Sequence, residues 1–291
     1  MKIESIKNFY PISYKGINKK DSIPTKLSSE QDIKSSLDSS STIGQAQVLL
    51  QKPKSIEEKL LQKIKRDEDI AHLFLQKDKN QVTYLFCKKE DLNEPLAYAN
   101  FFYDENDKID EIYVFDINSE NLTRYDNEGN YITQYTPEHL RGISAYKFNS
   151  GYFHARLRDG KKFDDNEFLD SLNKTFADKY KLHKAPKDMI MYRTAHLSPK
   201  QMGKKGDIYE EPSFLSATTS ETVANSFHYD KSKAFLTITV PEGKTFLNVD
   251  KLFNLKNRRS REEEILFDKG SKFLITNTNG SNVHLTLIQE D

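Results

Sequence analysis

The chain has 291 residues, 44 lysines and arginines against 44 aspartates and glutamates, with 36% hydrophobic and 30% charged side chains. That length holds one large domain or two modest ones, and the even charge balance supplies no global field to draw nucleic acid or an anionic membrane. No run approaches the roughly 20 apolar residues that cross a bilayer, and the single cysteine, Cys87, excludes an internal disulfide.

The first segment, MKIESIKNFYPIS, lacks the apolar core of a secretory signal. The stretch KDSIPTKLSSEQDIKSSLDSSSTIGQ is rich in serine and lysine and buries too little apolar surface to offset ordering, so residues 1–50 are expected to form a flexible leader. In PKSIEEKLLQKIKRDEDIAHLFLQKDKN, Ile56, Leu60, Leu61, Ile64, Ile70, Leu73 and Phe74 recur at near-helical spacing behind Ser55 as a cap. This predicts a helix or helix pair.

The period then changes. Short aromatic and β-branched runs, separated by the turn signals DENDK, NSEN and NEGN, predict an antiparallel meander with strands near 81–87, 96–103, 110–116, 121–125 and 130–134. Cys87 falls in the first of these and reads as a structural residue. At TPEHLRGISAYKFN the helical period returns, with Thr136 at the cap and Pro137 at the first helical position. SGYFHARLRDG and DDNEFLDSLNKTFADKY follow as helices, the latter with Phe168, Leu169, Leu172 and Phe176 on one side. Beyond 187 the chain reads as strands: DMIMYRT, PSFLSATT, KAFLTITVP, TFLNV, EEILFD, KFLITNTN and NVHLTLIQ. A short helix, TSETVANSFHY, interrupts them. Helices first and strands after predict an α+β domain from about 135 to the end rather than a doubly wound sheet. Neither GxGxxG nor GxxxxGK[ST] occurs, so no Rossmann unit or P-loop is signalled, and the histidines lack the spacing of a zinc site.

Three pieces carry chemistry. Arg193 ends the apolar run MIMYR, where a guanidinium held by a strand can clamp a phosphate or carboxylate, or simply reach solvent. In PSFLSATTSETVANSF, Thr219 and Ser220 read as cap residues, while Ser216 and Thr218 precede the cap and share one strand face. In RRSREEEILFDKG, strand alternation places Glu262 and Glu264 on one face and Glu263 on the other. Two carboxylates on one face repel, so one is raised in pKa or both are held by cations, with Lys256, Arg258, Arg259 and Arg261 nearby to supply them.

In that order, YRT at 192–194, SAT at 216–218 and EEE at 262–264 followed by ILFDKGSKF resemble the arginine, STS and ExE signature of the bacterial mono-ADP-ribosyltransferase toxins and effectors. AYKFNSGYFHARLR is similar to the helical region before the arginine strand, and FLTITVPEGKTFLNV to the segment between the serine motif and the glutamates. The resemblance covers about 135–291. Ala217 stands where the family has threonine, and Thr218 where it has the second serine.

The resemblance implies an α+β, split β-sandwich catalytic domain with NAD⁺ as substrate and no metal. It implies Arg193 at the phosphates and nicotinamide ribose, Thr194 offering its backbone to the carboxamide, Ser216 orienting Glu264, and Thr218 holding the strand and ribose pocket. Glu264, directly before ILF, would stabilise the cation that forms as nicotinamide leaves, and Glu262 would receive the acceptor. Phe227 is expected in the core, with the nicotinamide pocket as the alternative. The implied acceptor is an arginine of a host protein; a threonine or other hydroxyl would suit the same pair. Residues 51–134 are expected to be an accessory region, with target recognition or support of the cleft as its roles. Export without a signal peptide, action in the host cytoplasm as an effector, and a monomeric state complete what the resemblance implies; no nucleic acid or membrane span is expected. A glycoside hydrolase with paired carboxylates and a non-catalytic module on this fold are the rival readings.

Overall fold

A computed structural model describes residues 55–64, 69–78, 80–163, 166–253 and 262–288. The predicted leader and the cations Lys256, Arg258, Arg259 and Arg261 lie outside the described residues. The chain divides at Thr136 and Pro137 into two compact units.

In the first unit, helix α1 (Ser55–Ile64) precedes strands β1 (Ile70–Asp78), β2 (Gln81–Lys88), β3 (Asp91–Tyr103), β4 (Ile109–Asp116), β5 (Leu122–Asp126) and β6 (Tyr131–Tyr135). They form a six-stranded antiparallel sheet in sequence order. The meander predicted as five strands therefore has a sixth at its start. Ile70, Leu73 and Phe74, expected in a helix, lie on β1 opposite Lys88, Leu85 and Tyr84. A short apolar run fits either period, and here pairing with β2 satisfies the backbone groups and decides it.

Val82, Tyr84, Phe86, Ala99, Phe101 and Ile112 pack on one face with Leu60 and Leu61 of α1. Glu57 anchors that helix: its buried carboxylate accepts from Tyr84 Oη at 2.7 Å and from Tyr103 Oη. Cys87 is a buried free thiol, its pKa pushed up to about 11 by burial.

The second unit has helices α2 (Pro137–Asp159), α3 (Glu167–Ala177), α4 (Pro199–Met202), α5 (Glu221–Ser226) and α6 (Val249–Phe253). Its strands are β7 (His183–Lys184), β8 (Met189–Thr194), β9 (Ile208–Glu210), β10 (Leu215–Thr218), β11 (Phe235–Val240), β12 (Thr245–Asn248), β13 (Glu264–Phe267), β14 (Lys272–Asn279) and β15 (Asn282–Leu287). The α+β class expected from the sequence is the class observed. Pro137 does begin α2, and the two helical stretches predicted there are present, joined at the non-helical Asn149 (φ −147°, ψ 45°) in the helix-breaking sequence Asn-Ser-Gly. Gly142 lets α2 cross α3 closely: a Cβ there would stand 2.6 Å from the Leu172 backbone nitrogen.

The strand order is β7-β12-β13-β10-β8-β11-β15-β14-β9. β10 and β8 meet in a single paired position, Thr218 with Tyr192, whereas β10 and β13 pair at four and β8 and β11 at six. The nine-stranded sheet is thus nearly split at β8 and β10. Met191, Leu215, Ala217, Leu236, Ile238, Ile265, Phe267, Phe273 and Leu285 fill the core of this unit.

Candidate active site

The three sequence pieces converge at the split. β8 carries Arg193, β10 carries Ser216 and β13 begins with Glu264; Thr218 pairs with Tyr192 on one side and Glu264 on the other. Arg193 Nη1 donates to the Ser216 carbonyl. Ser216 Oγ donates to Glu264 Oε1 at 2.8 Å. Antiparallel register makes Ser216 and Glu264 diagonal neighbours on one face, within reach of a short hydroxyl and a long carboxylate. Glu264 is nearly buried, its side chain 8% exposed.

Glu262 and Glu264 do face a common point, but not by strand alternation. β13 starts at Glu264, and Glu263 before it is left-handed (φ 48°). That turn brings Glu262 back beside Glu264 and sends Glu263 away, where its carboxylate accepts from Thr219 Oγ1. The common point is Lys147 of α2. Its Nζ lies 2.9 Å from Glu264 Oε2, 3.1 Å from Asp250 Oδ1 on α6 and 3.7 Å from Glu262 Oε2. The Glu262 side chain is 43% exposed, so it is the carboxylate of this cluster that an incoming molecule can meet.

The electrostatics are coupled. Burial lowers the Lys147 pKa, but Glu264 and Asp250 outweigh it and hold the ammonium well above its ordinary value. Burial raises Glu262 and Asp250; Lys147 opposes this in both, and the neighbouring carboxylates add to it. The cations that the sequence offered from the basic loop are supplied, among the described residues, by Lys147.

The other side of the split is cationic. Arg158, at the end of α2, donates Nε to Glu211 Oε1 at 2.9 Å, and Glu211 also accepts from Tyr209 Oη at 2.8 Å and from the Ser213 backbone nitrogen at 3.1 Å. His154 Nδ1 lies 2.9 Å from Ser213 Oγ and its Nε2 lies 3.3 Å from Tyr146 Oη. Burial, with Arg193 and Arg158 acting in the same direction, drives His154 down to about 3 and keeps it neutral. Arg193 also acts on Tyr146 and Glu211. One end of the site therefore concentrates guanidinium charge and the other carboxylate charge.

The remaining predicted residues lie beside this group. Thr194 Oγ1 donates to the Ala224 carbonyl at 3.1 Å, tying β8 to α5. Thr218 is buried, and its Oγ1 accepts from the Ser220 backbone nitrogen at 3.0 Å, fixing the turn into α5. Ser220 caps that helix, accepting from the Val223 backbone nitrogen. Phe227 is not in the core: it is 52% exposed. Phe227 is the C-cap of α5, its backbone nitrogen donating to the Ala224 carbonyl.

Sequence reasoning missed Lys147, Asp250, His154, Arg158 and Glu211. Lys147 had a signal. Leu140, Ile143 and Ser144 are buried on α2, and position 147 continues that stripe at i+7, so a lysine there is a charge on a core-facing position.

The family model described as "ADP-ribosyltransferase exoenzyme" matches residues 117–291. Among solved structures, Plx2a, an ADP-ribosyltransferase toxin from Paenibacillus larvae, is similar at 16% identity over 53% of this chain and 87% of its own, with a TM-score of 0.42. C3stau2 from S. aureus, solved with NAD, is similar at 13% identity over 54% of this chain and 89% of its own, with a TM-score of 0.42. The Clostridium limosum C3 exoenzyme has 12% identity over 54% and 86%, with a TM-score of 0.41. No curated protein matches.

Proposed function

Because the chain belongs to the ADP-ribosyltransferase exoenzyme family and is an NAD⁺-dependent mono-ADP-ribosyltransferase, we propose that it modifies an arginine of a host protein, with Glu264 driving bond cleavage and Glu262 receiving the acceptor. The observation that carries this reading is the relay across three adjacent strands, Arg193 to the Ser216 carbonyl and Ser216 Oγ to Glu264 at 2.8 Å.

NAD⁺ lies with its phosphates toward Arg193 and its nicotinamide ribose toward Glu264. The C1′–N bond breaks with its electron pair going to nicotinamide, a leaving group that is already cationic and so needs no acid. Positive charge develops on the ribose, and the Glu264 carboxylate, held by Ser216, stabilises it. An arginine nitrogen of the target then forms the new bond to C1′. Its proton passes to Glu262, the exposed carboxylate with the raised pKa. With Asp250, Glu262 and Glu264 all ionised, three carboxylates around one ammonium leave a net negative field, which favours a guanidinium.

A glycoside hydrolase needs its two acids on either side of a glycosidic bond. Glu262 and Glu264 instead approach one ammonium from the same loop, which favours transfer. Arg193 and Phe227, exposed beyond α5, are the cofactor-facing residues in this reading; Thr194 and Thr218 hold their elements. Residues 135–291 form the catalytic domain and the six-stranded unit recognises the target. The protein acts as a monomer inside the host cell. Incubation with labelled NAD⁺ and host lysate, followed by mass spectrometry of the modified residue, tests the reading; modification on serine or threonine alone would exclude arginine as acceptor.

A further inference from the structure

The carboxylate cluster contains a cation that this reaction leaves without a task. Lys147 sits on the buried stripe of α2, its side chain 11% exposed. Its ammonium has three protons to donate and faces three carboxylates on two segments, Asp250 on α6 and Glu262 and Glu264 at the start of β13. A methionine or leucine at this position would continue the apolar stripe and avoid the cost of desolvating an ammonium. What the lysine adds is charge at one point.

That point decides how the carboxylates behave. Without a cation, three carboxylates in a part-buried cluster relieve their repulsion by taking up protons. A protonated Glu264 stabilises no developing cation, and a protonated Glu262 accepts no proton. Lys147 also treats the glutamates unequally, bonding Glu264 Oε2 at 2.9 Å while Glu262 stands at 3.7 Å. Ser216 already takes Glu264 Oε1, so Glu264 is fixed at both oxygens.

We propose that Lys147 is a positioning residue for ADP-ribosyl transfer: its ammonium fixes the Glu264 carboxylate at the oxygen that Ser216 does not hold, and leaves Glu262 as the member of the pair that exchanges a proton with the acceptor. This deepens the transferase reading and rests on it. The charged groups around Lys147 are Asp250 from α6 and Glu262 and Glu264 from the β13 segment; Arg193 lies beyond Ser216, and Glu263 is turned toward Thr219. Lys147 is the attraction that opposes burial and like charge at Glu262 and Asp250. Removing it raises both further. Above that range the carboxylates ionise again, and the ribose cation then develops without an ammonium beside its stabilising glutamate.

The test compares the parent, Lys147→Met and Lys147→Arg from about pH 5 to pH 9. Nicotinamide release with an arginine acceptor present is the kinetic readout. Carbon-13 titration of the Glu262 carboxyl, assigned by its loss in Glu262→Gln, reads the charge directly. In Lys147→Met the acid limb of the rate and the Glu262 titration move up by about one pH unit or more, a loss of about tenfold remains near pH 9 because one Glu264 oxygen is no longer held, and Lys147→Arg restores the neutral-pH rate. A loss equal at every pH, or a Glu262 titration that does not move, overturns the proposal. If the parent releases no nicotinamide at any pH, the transferase reading fails by itself. The carbon-13 titration then reads the electrostatic half of the proposal alone: a Glu262 carboxyl that stays in place refutes Lys147 as its counter-charge, and one that moves up supports it.

Discussion

Ser216 donates its hydroxyl to Oε1 of Glu264 at 2.8 Å across the ladder between β10 and β13. This bond joins side chains of the serine and glutamate motifs, 48 residues apart. Ser216→Ala should lower nicotinamide release by about tenfold to a hundredfold, since it frees one oxygen of the carboxylate that must hold still while charge develops. Folding stability should fall by only about 1 kcal/mol, the net worth of one such bond. Steady-state kinetics and thermal melting check both, and an unchanged rate would remove Ser216 from the site.

In the proposed mechanism Glu262 separates transfer from cleavage. Glu262→Gln should keep slow NAD⁺ hydrolysis and lose most transfer to protein, because the amide takes no proton from the acceptor. Equal loss of both activities would assign Glu262 to the cleavage step.

The pH dependence follows from the direction of the Glu262 shift. Its pKa is raised, chiefly by burial, and it acts as a base only when ionised. Transfer should therefore fall as pH drops through a value above the ordinary glutamate range of about 4.3. The limb should disappear from the residual hydrolysis of Glu262→Gln. A limb at or below the ordinary value contradicts the assignment.

Gly142 holds the helical layer together. A Cβ at this position would stand 2.6 Å from the Leu172 backbone nitrogen and 2.7 Å from Ser171 Cβ. Since backbone cannot step aside as a side chain can, Gly142→Ala should cost about 1–3 kcal/mol, read as a lower melting temperature. Unchanged stability would mean that α2 and α3 shift apart freely.

Much of this was legible because local patterning and tertiary structure agreed. The strand and turn signals from 81 to 135 gave five of the six strands in the first sheet, and Thr136-Pro137 marked the start of α2. The misses have separate causes. The run after Ile70 suits both periods, and only its partner strand decides between them. Phe227 continues the turn of α5 as its C-cap, yet its ring stays exposed, because helical spacing names a face and not what covers it. Glu262 and Glu264 were paired for the wrong reason: a left-handed Glu263, not alternation, brings them together. Lys147 and Asp250 lie 103 residues apart, and no spacing rule joins them. Arg193, Ser216 and Glu264, which the structure brings together, could be singled out because each stands in a motif whose order is informative.

The central claim is that Glu264 drives cleavage of NAD⁺. The direct measurement is labelling of host lysate protein from labelled NAD⁺ by the parent and by Glu264→Gln, with folding of the variant verified by its melting temperature. The account predicts labelling by the parent, with the modified residue an arginine, and loss of labelling by at least about a hundredfold in the variant, in keeping with removal of a charge that stabilises the transition state. Comparable labelling by a folded Glu264→Gln protein would contradict it.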